Sequence, residues 1–324
     1  MKVAIVGCGA LGSYYGAALA RSGHETHFLL RSDFDRVQRF GVTVLSPQGD
    51  FTVHPKCHLL PESIGPCDLI LIGLKTTANG EFPRLLPALV DSRSMVLTLQ
   101  NGLGNEEQLA RIIRPDQILG GLCFVCLNRI APGEIRHLAH GRIVLGEYSG
   151  APLPRTHALA TQFVSSGIPC EVVPSLACAH WLKLIWNIPF NGLGVASSLG
   201  WDAYQASRFS REPLQDCLTT DQLLADPRWR VEVRQLMHEV LIAAQLMGHP
   251  VADNEPEEQI ARTREMGAYR ASTLVDFEAG RPLEIESLFL EPWRQATGLG
   301  LAMPRLGHLC SHLQQLSQAT RFQP

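Results

Sequence analysis

Apolar and polar positions fall into two regimes along the chain. Up to about residue 174, short apolar runs alternate with helical stretches and with turns rich in glycine, proline and polar residues. That is the pattern of strands alternating with helices. Beyond it the strand patterns stop, and helical periodicities follow one another to the end. The boundary is a change of period rather than a flexible linker, and we find no internal repeat and no low-complexity segment. The expectation is an α/β domain over residues 1–174 and an all-helical domain over 175–324.

The first strand-to-helix passage is the most informative. Val3–Val6 is an apolar run, Gly7-Cys8-Gly9-Ala10-Leu11-Gly12 is a glycine turn, and an Ala/Leu/Tyr-rich stretch runs on to Arg21. In such a unit the first glycine permits the turn, the second lets the backbone approach a pyrophosphate, and the third lets helix and strand pack closely. The anion sits on free N–H groups at the helix start. Residues 7–12 are therefore candidate dinucleotide contacts; a glycine turn in an unrelated α/β protein is the plain alternative.

The second strand pattern, Glu25–Leu30, ends in Leu30-Arg31-Ser32. NAD sites carry an acidic residue about 20 residues past the glycines. Arg31 instead suits a 2′-phosphate, with which a guanidinium pairs through two hydrogen bonds. The reading is NADP, and the alternative is that Asp33, slightly late, serves the ribose. Val42–Val53 carries two short β-type runs around a Ser46–Asp50 turn. The run Leu69–Leu74 reads as a buried parallel strand and ends in Lys75, which either reaches a ligand at the carboxyl edge or is an ordinary surface lysine. A short helix is expected over Phe82–Val90. Ser94–Leu99 is followed by Gln100-Asn101-Gly102-Leu103-Gly104, a second strand-to-glycine turn, and Asn105 with Gln108 resembles a capping box. Strands are expected at Ile118–Ile130, Glu134–Leu138, Arg142–Gly146 and Cys170–Val173, with a helix near Arg155–Ser165, giving at least eight strands.

Composition adds limits. The chain has 324 residues, 45% hydrophobic and 18% charged, with a formal net charge of −3. That gives no reason to expect nucleic acid or an anionic membrane as partner. No apolar run reaches the ~18–20 residues of a membrane span, and the N-terminal run is too short for a signal peptide. The nine cysteines are scattered and odd in number, which points to reduced thiols and a cytoplasmic setting. Cys123 and Cys126 form a C-x-x-C in a strand pattern, where residues three apart face opposite sides. No second pair follows at zinc spacing, so no metal is expected.

In the second half, a mostly apolar helix pattern contains Lys183, Asn187 and Asn191 at i, i+4 and i+8, on one face. A polar row on a core helix faces a cleft or simply faces water, and a buried lysine needs a purpose. Pro189 should perturb this helix near the row. Further on stands Ser272-x3-Asp276, then Arg281-Pro-Leu-Glu284-Ile-Glu286. Two glutamates at a helix start need no explanation beyond the dipole.

Together these residues resemble the ketopantoate reductase (2-dehydropantoate 2-reductase) family over essentially the whole chain. The resemblance rests on the G-C-G-A-L-G turn, Leu30-Arg31, Leu74-Lys75, Gln100–Gly104, the Lys183/Asn187/Asn191 row and the Ser272–Glu286 segment. It implies a Rossmann domain followed by a helical domain like the C-terminal domain of 6-phosphogluconate dehydrogenase, with the active site in a cleft between them. It implies NADPH-dependent reduction of ketopantoate to D-pantoate in pantothenate synthesis. Lys183 and Glu284 match catalytic positions. Asn101, Asn187, Asn191 and Ser272 match substrate-binding positions, Asn101 also lying near the nicotinamide, and Arg31 and Lys75 match NADP contacts. A homodimer is compatible with the family. Leu283 replaces a common threonine, Leu290 replaces a common glycine, and Trp201–Pro227 lacks the usual continuation. A reductase of another 2-keto acid and a non-catalytic NADP-binding sensor therefore stand as alternatives.

If Arg31 reads the 2′-phosphate, Arg31→Ala weakens NADPH much more than NADH. Dissociation constants for both dinucleotides check this, and an equal loss for both removes Arg31 from that role.

Overall fold

A computed structural model describes residues 1–208 and 214–320, side chains to Gln318. Two compact units, Met1–Ala179 and His180–Pro324, make up the chain. The division falls inside a helix, a few residues past the 174/175 boundary read from periodicity. Within Trp201–Pro227, residues 209–213 lie outside the described residues.

In the first unit the elements run β1 (Lys2–Val6), α1 (Ala10–Arg21), β2 (Glu25–Leu29), α2 (Phe34–Phe40), β3 (Val42–Leu45), β4 (Phe51–Val53), β5 (Lys56–His58), β6 (Leu69–Ile72), α3 (Phe82–Leu85), β7 (Met95–Thr98), α4 (Asn105–Ala110), β8 (Ile118–Ala131), β9 (Glu134–Glu147), α5 (Pro154–Ser165) and β10 (Cys170–Val172). They form one ten-stranded sheet in the order β4-β3-β9-β8-β7-β6-β1-β2-β5, with β10 also on β9. From β5 to β8 every pairing is parallel. The chain leaves β1 toward β2 and later returns to its other side as β6, so the end of β1 is the switch point where such sheets bind ligands.

Strand alternation divides the core. Val3, Ile5, Leu69 and Leu71 face one apolar cluster, with Tyr15, Leu19 and Phe163. Ala4, Val6, Ile70 and Ile72 face the other, with Phe82 and Leu86. Burial on both faces explains why these strands read as continuous apolar runs. Gly16 lets α1 press onto the sheet, because a Cβ there would stand 2.6 Å from the Phe28 ring.

Two expectations change and one strand is added. The helix expected over Phe82–Val90 is only the single turn α3, which a 3-10 turn at Thr76–Glu81 precedes. The two strands expected over 134–146 are one strand, β9, which passes through His140 at φ 66° and Gly141 at φ 129°. Pairing with β8 shifts register at Phe124/Val125 there, so the glycine marks a bulge rather than a break. Strand β5, absent from the sequence reading, is held at the edge by His27 and His58 (Nδ1 to Nε2, 2.9 Å).

The second unit contains the main length of α6 (Leu176–Ala196), then α7 (Trp201–Gln205), α8 (Thr220–Ala225), α9 (Pro227–Leu246), α10 (Glu255–Arg264), α11 (Ser272–Glu278), a π-turn at Glu286–Leu290, α12 (Glu291–Gly298) and α13 (Pro304–Thr320). No strand occurs among its described residues. The helix α6 runs through Pro189 and is largely buried, with Trp181, Ile185, Ile188 and Leu193 in the core. Gly192 brings α6 onto its neighbours, since a Cβ would stand 2.5 Å from Leu309 and 2.9 Å from Phe289. Among the described residues no helix is long and apolar enough to cross a membrane. None of the nine cysteines is joined in a disulfide.

The His27 pair carries a pH dependence. His27 is 5% exposed, and its Nε2 meets Glu25 Oε1 at 3.1 Å. A carboxylate only accepts, so Nε2 carries hydrogen and Nδ1 accepts from His58. Burial depresses the proton affinity of His27, with the Lys2 and Lys56 charges adding to it and Glu25 opposing; burial also depresses His58, assisted by His27 and both lysines. The unfolded chain therefore binds more protons than the folded one as pH falls through the ordinary histidine range, and stability drops. The urea midpoint should fall between about pH 7 and pH 5.5, and His27→Asn should flatten that slope. An unchanged slope in the variant would assign the pH dependence to other groups.

Candidate functional site

The N-terminal turn is built by backbone proximity. Gly7 lies at φ +96°, and a Cβ on it would stand 2.3 Å from the Leu74 amide nitrogen. One on Gly12 would stand 2.2 Å from the Gly7 carbonyl oxygen, and one on Gly73 would stand 2.9 Å from Gly12 Cα. The turn, the start of α1 and the residues after β6 thus meet with no side chain between them. Gly73 escaped the sequence reading; a glycine closing a strand pattern is the signal for such an approach.

Gly9 differs. It is extended (φ −75°, ψ −161°) and caps α1 without any side-chain bond. A Cβ there would meet no atom of the protein within 4 Å, so its open side is the space before the helix. The first N–H groups of α1, from Ala10, Leu11 and Gly12, have no acceptor within the helix. An anion of pyrophosphate size fits these features. Cys8 contributes backbone to the turn, because its thiol points inward to the Ile5 and Leu29 carbonyls, each at 3.5 Å. Burial pushes that thiol well up, with Cys57 and Asp33 adding to the effect.

Parallel pairing sets the other first-unit candidates along the same carboxyl edge. β6 and β2 flank β1 in the sheet. Lys75 follows β6 and Arg31 follows β2, both exposed. Asn101 follows β7, one strand further along. Beneath Asn101 runs a chain of side-chain bonds. Thr98 donates to Gln100 Oε1 (3.0 Å), Gln100 Nε2 to Asn79 Oδ1 (2.7 Å), Asn79 Nδ2 to Asn105 Oδ1 (2.9 Å), and Asn105 Nδ2 to the Asn101 carbonyl (3.1 Å). Amides both donate and accept, so they relay in this way. The capping box expected at Asn105 does not form. Gly104, at φ 84°, caps α4, and the Asn105 side chain is spent on Asn79 and Asn101. The Asn79–Gln100–Asn105 support was not read from the sequence, since Asn79 lies more than 20 residues from the other two.

Asp33, the alternative ribose ligand, is otherwise engaged. It is 6% exposed. It accepts from Arg129 Nε at 3.0 Å, from Arg129 Nη2, from Ser32 Oγ at 2.9 Å and from the Gly133 amide at 3.3 Å.

In the second unit, Lys183 is half-buried on α6, while Asn187 and Asn191 are 7% and 2% exposed. The row therefore sinks into the fold along its length. Asn191 Oδ1 accepts from the Thr273 amide at 3.0 Å and from Ser272 Oγ at 3.3 Å. It thereby satisfies an otherwise unpaired N–H at the start of α11, which has no side-chain cap of its own. The structure joins Asn191 and Ser272, residues far apart in sequence. Burial separates the two glutamates that periodicity left equivalent. Glu284 is 6% exposed and precedes the π-turn, while Glu286 is exposed and pairs with Arg294. Single π-turns recur at functional sites. Leu283, beside Glu284, is buried at 7% exposure.

Comparison with known proteins gives one consistent result. The family model described as ketopantoate reductase PanE/ApbA matches residues 3–150, and its C-terminal counterpart matches residues 213–317. A 2-dehydropantoate 2-reductase of Nostoc sp. is 38% identical, covering 99% of this chain and 96% of its own. The crystal structure of a 2-dehydropantoate 2-reductase from Geobacter metallireducens is similar at a TM-score of 0.89 with 42% identity, covering 97% of this chain and 99% of its own. One from Methylococcus capsulatus is similar at 0.88 with 30% identity, covering 100% and 99%.

The two glycine environments are separable by mutation. Gly12→Ala forces a methyl against the Gly7 carbonyl and should cost about 2 kcal/mol or more of stability. Gly9→Ala should leave stability within about 0.5 kcal/mol, as at an unobstructed surface site, yet weaken dinucleotide binding strongly. Urea titration and cofactor binding measure the two effects. Unimpaired binding by Gly9→Ala would remove the pyrophosphate from this turn.

Proposed function

The chain belongs to the ketopantoate reductase family, and from that premise we propose that it reduces 2-dehydropantoate to D-pantoate with NADPH, a step of pantothenate synthesis. The observation that carries this reading is the row Lys183, Asn187 and Asn191, which places one ammonium and two buried amides on one face of a mostly apolar helix. Residues 1–174 are proposed to hold NADP and residues 175–324 the keto acid. Cysteines outside any disulfide support a cytoplasmic setting; assembly as a homodimer belongs to the same proposal.

NADPH, when bound, supplies the hydride that reaches C2 of the keto acid. The N–H groups of residues 7–12 bind the pyrophosphate, and Arg31 and Lys75 bind further cofactor phosphate oxygens from either side of the turn. Asn101, its carbonyl held by Asn105, orients the nicotinamide and the reacting carbonyl. As C2 accepts hydride, negative charge grows on the carbonyl oxygen. The Lys183 ammonium stabilises that charge and gives up its proton to the oxygen. Glu284 keeps the ammonium and the new hydroxyl in line. Asn187 and Ser272 bind the substrate's polar groups. Asn191 has its oxygen committed to α11, so it meets the substrate as a donor through Nδ2, which suits a carboxylate.

The test is NADPH consumption with ketopantoate as substrate. Lys183→Ala should lower turnover by ~10²-fold or more, the scale of a lost acid catalyst, while cofactor affinity is nearly kept. Glu284→Gln should lower turnover far more than Glu286→Gln, whose glutamate is spent on Arg294 at the surface. A fully active Lys183→Ala enzyme would overturn the assignment, and the reverse order of the two glutamates would show that the wrong one had been chosen.

A further inference from the structure

The Asp33–Arg129 pair has a construction that packing alone does not require. Asp33 occupies the N-cap position of α2, where a carboxylate ordinarily accepts from its own helix, yet it makes no such bond. Its two oxygens turn instead to four donors. These are both faces of the Arg129 fork, the Ser32 hydroxyl and the Gly133 amide. Arg129 stands near the end of β8, and Gly133 lies in the turn between β8 and β9. The hairpin tip is itself seated at α2 and β3. Arg36 pairs with Glu134 at 3.0 Å, and the Thr43 amide donates to the Gly133 carbonyl at 2.9 Å. A long hairpin thus brings a guanidinium from the far side of the sheet order to the carboxyl end of β2.

That end is where a dinucleotide enzyme of this fold reads the ribose. A carboxylate accepts from a 2′-hydroxyl and repels a 2′-phosphate. Asp33 stands two residues past Arg31, and its charge is felt at the Cys8 thiol inside the glycine turn. Left unpaired, it would oppose Arg31. We propose that Arg129 is a specificity-determining residue for the cofactor: it neutralises and holds Asp33, so that this acidic position neither binds a ribose hydroxyl nor repels the 2′-phosphate read by Arg31. Arg129 acts through Asp33 and is a positioning residue, not a phosphate ligand. This inference rests on the NADP reading above.

The measurement is the dissociation constant of NADPH and of NADH, each followed by quenching of tryptophan fluorescence in the full-length protein, with thermal melting as the check of folding. Wild type should prefer NADPH. Arg129→Met should lower the NADPH:NADH preference by about tenfold or more, since it frees a like charge beside the phosphate. Asp33→Asn should keep the preference, and Arg129→Met in the Asp33→Asn background should restore it. Should Arg129→Met fail to fold, Arg129→Gln keeps donors beside Asp33 and removes the charge, with the same expected fall. A merely structural role would weaken both dinucleotides alike and leave their ratio unmoved. An unmoved ratio in a folded Arg129 variant overturns the inference while leaving the NADP reading intact. So does loss of preference that Asp33→Asn does not rescue, since it would make Arg129 a direct ligand. A wild type without NADPH preference would defeat the NADP reading itself.

Discussion

Close approach of bare backbone at the end of β1 is the constraint on which the first unit depends. Gly7, Gly12 and Gly73 stand where any Cβ would run into main-chain atoms of another segment. Because three segments meet there without side chains, α1 starts directly behind the strand, and its first N–H groups, which have no acceptor within the helix, follow the unobstructed Gly9. Parallel pairing then lines Arg31, Lys75 and Asn101 along the same edge. A methyl group at one of these glycines would displace the helix start and, with it, the geometry that makes an anion welcome.

The second unit obeys a different constraint, the cost of burying polar groups. Its central helix carries two amides into the core, and each must be satisfied. Asn191 meets this by serving as the missing cap of α11, so the residue that closes the polar row also fixes the segment bearing Ser272. The first unit applies the same rule beneath Asn101, where Asn105 holds the carbonyl of that loop residue and is itself bonded to Asn79, which Gln100 meets in turn. Asn191, a candidate ligand in sequence, is thus spent partly on holding another segment, whereas Asn101 is itself held.

Charge follows this logic as well. Asp33 is the acidic residue that the fold would offer to a ribose, and four donors take up its oxygens. Glu286 is paired with Arg294 at the surface, and Glu284 is buried. The three acidic residues therefore differ in exposure and in the partners recorded for Asp33 and Glu286.

Local pattern was enough for the fold class. Runs buried on both faces, the glycine turn and the change to helical period are written into consecutive residues, because strand and helix periods are properties of the chain itself. The i, i+4, i+8 row on α6 was readable for the same reason. Family likeness, carried by motifs in order, supplied the roles attached to Lys183 and Glu284. What the sequence could not disclose needed partners brought from afar. The edge strand β5, the third glycine at residue 73, the amide relay under Asn101, the capping of α11 by Asn191 and the capture of Asp33 by Arg129 all join segments separated along the chain, and β9 is carried across Gly141 by its pairing with β8. Periodicity speaks only of neighbours within a few residues, whereas which side chain meets which across the fold is decided when the sheet and the helices pack.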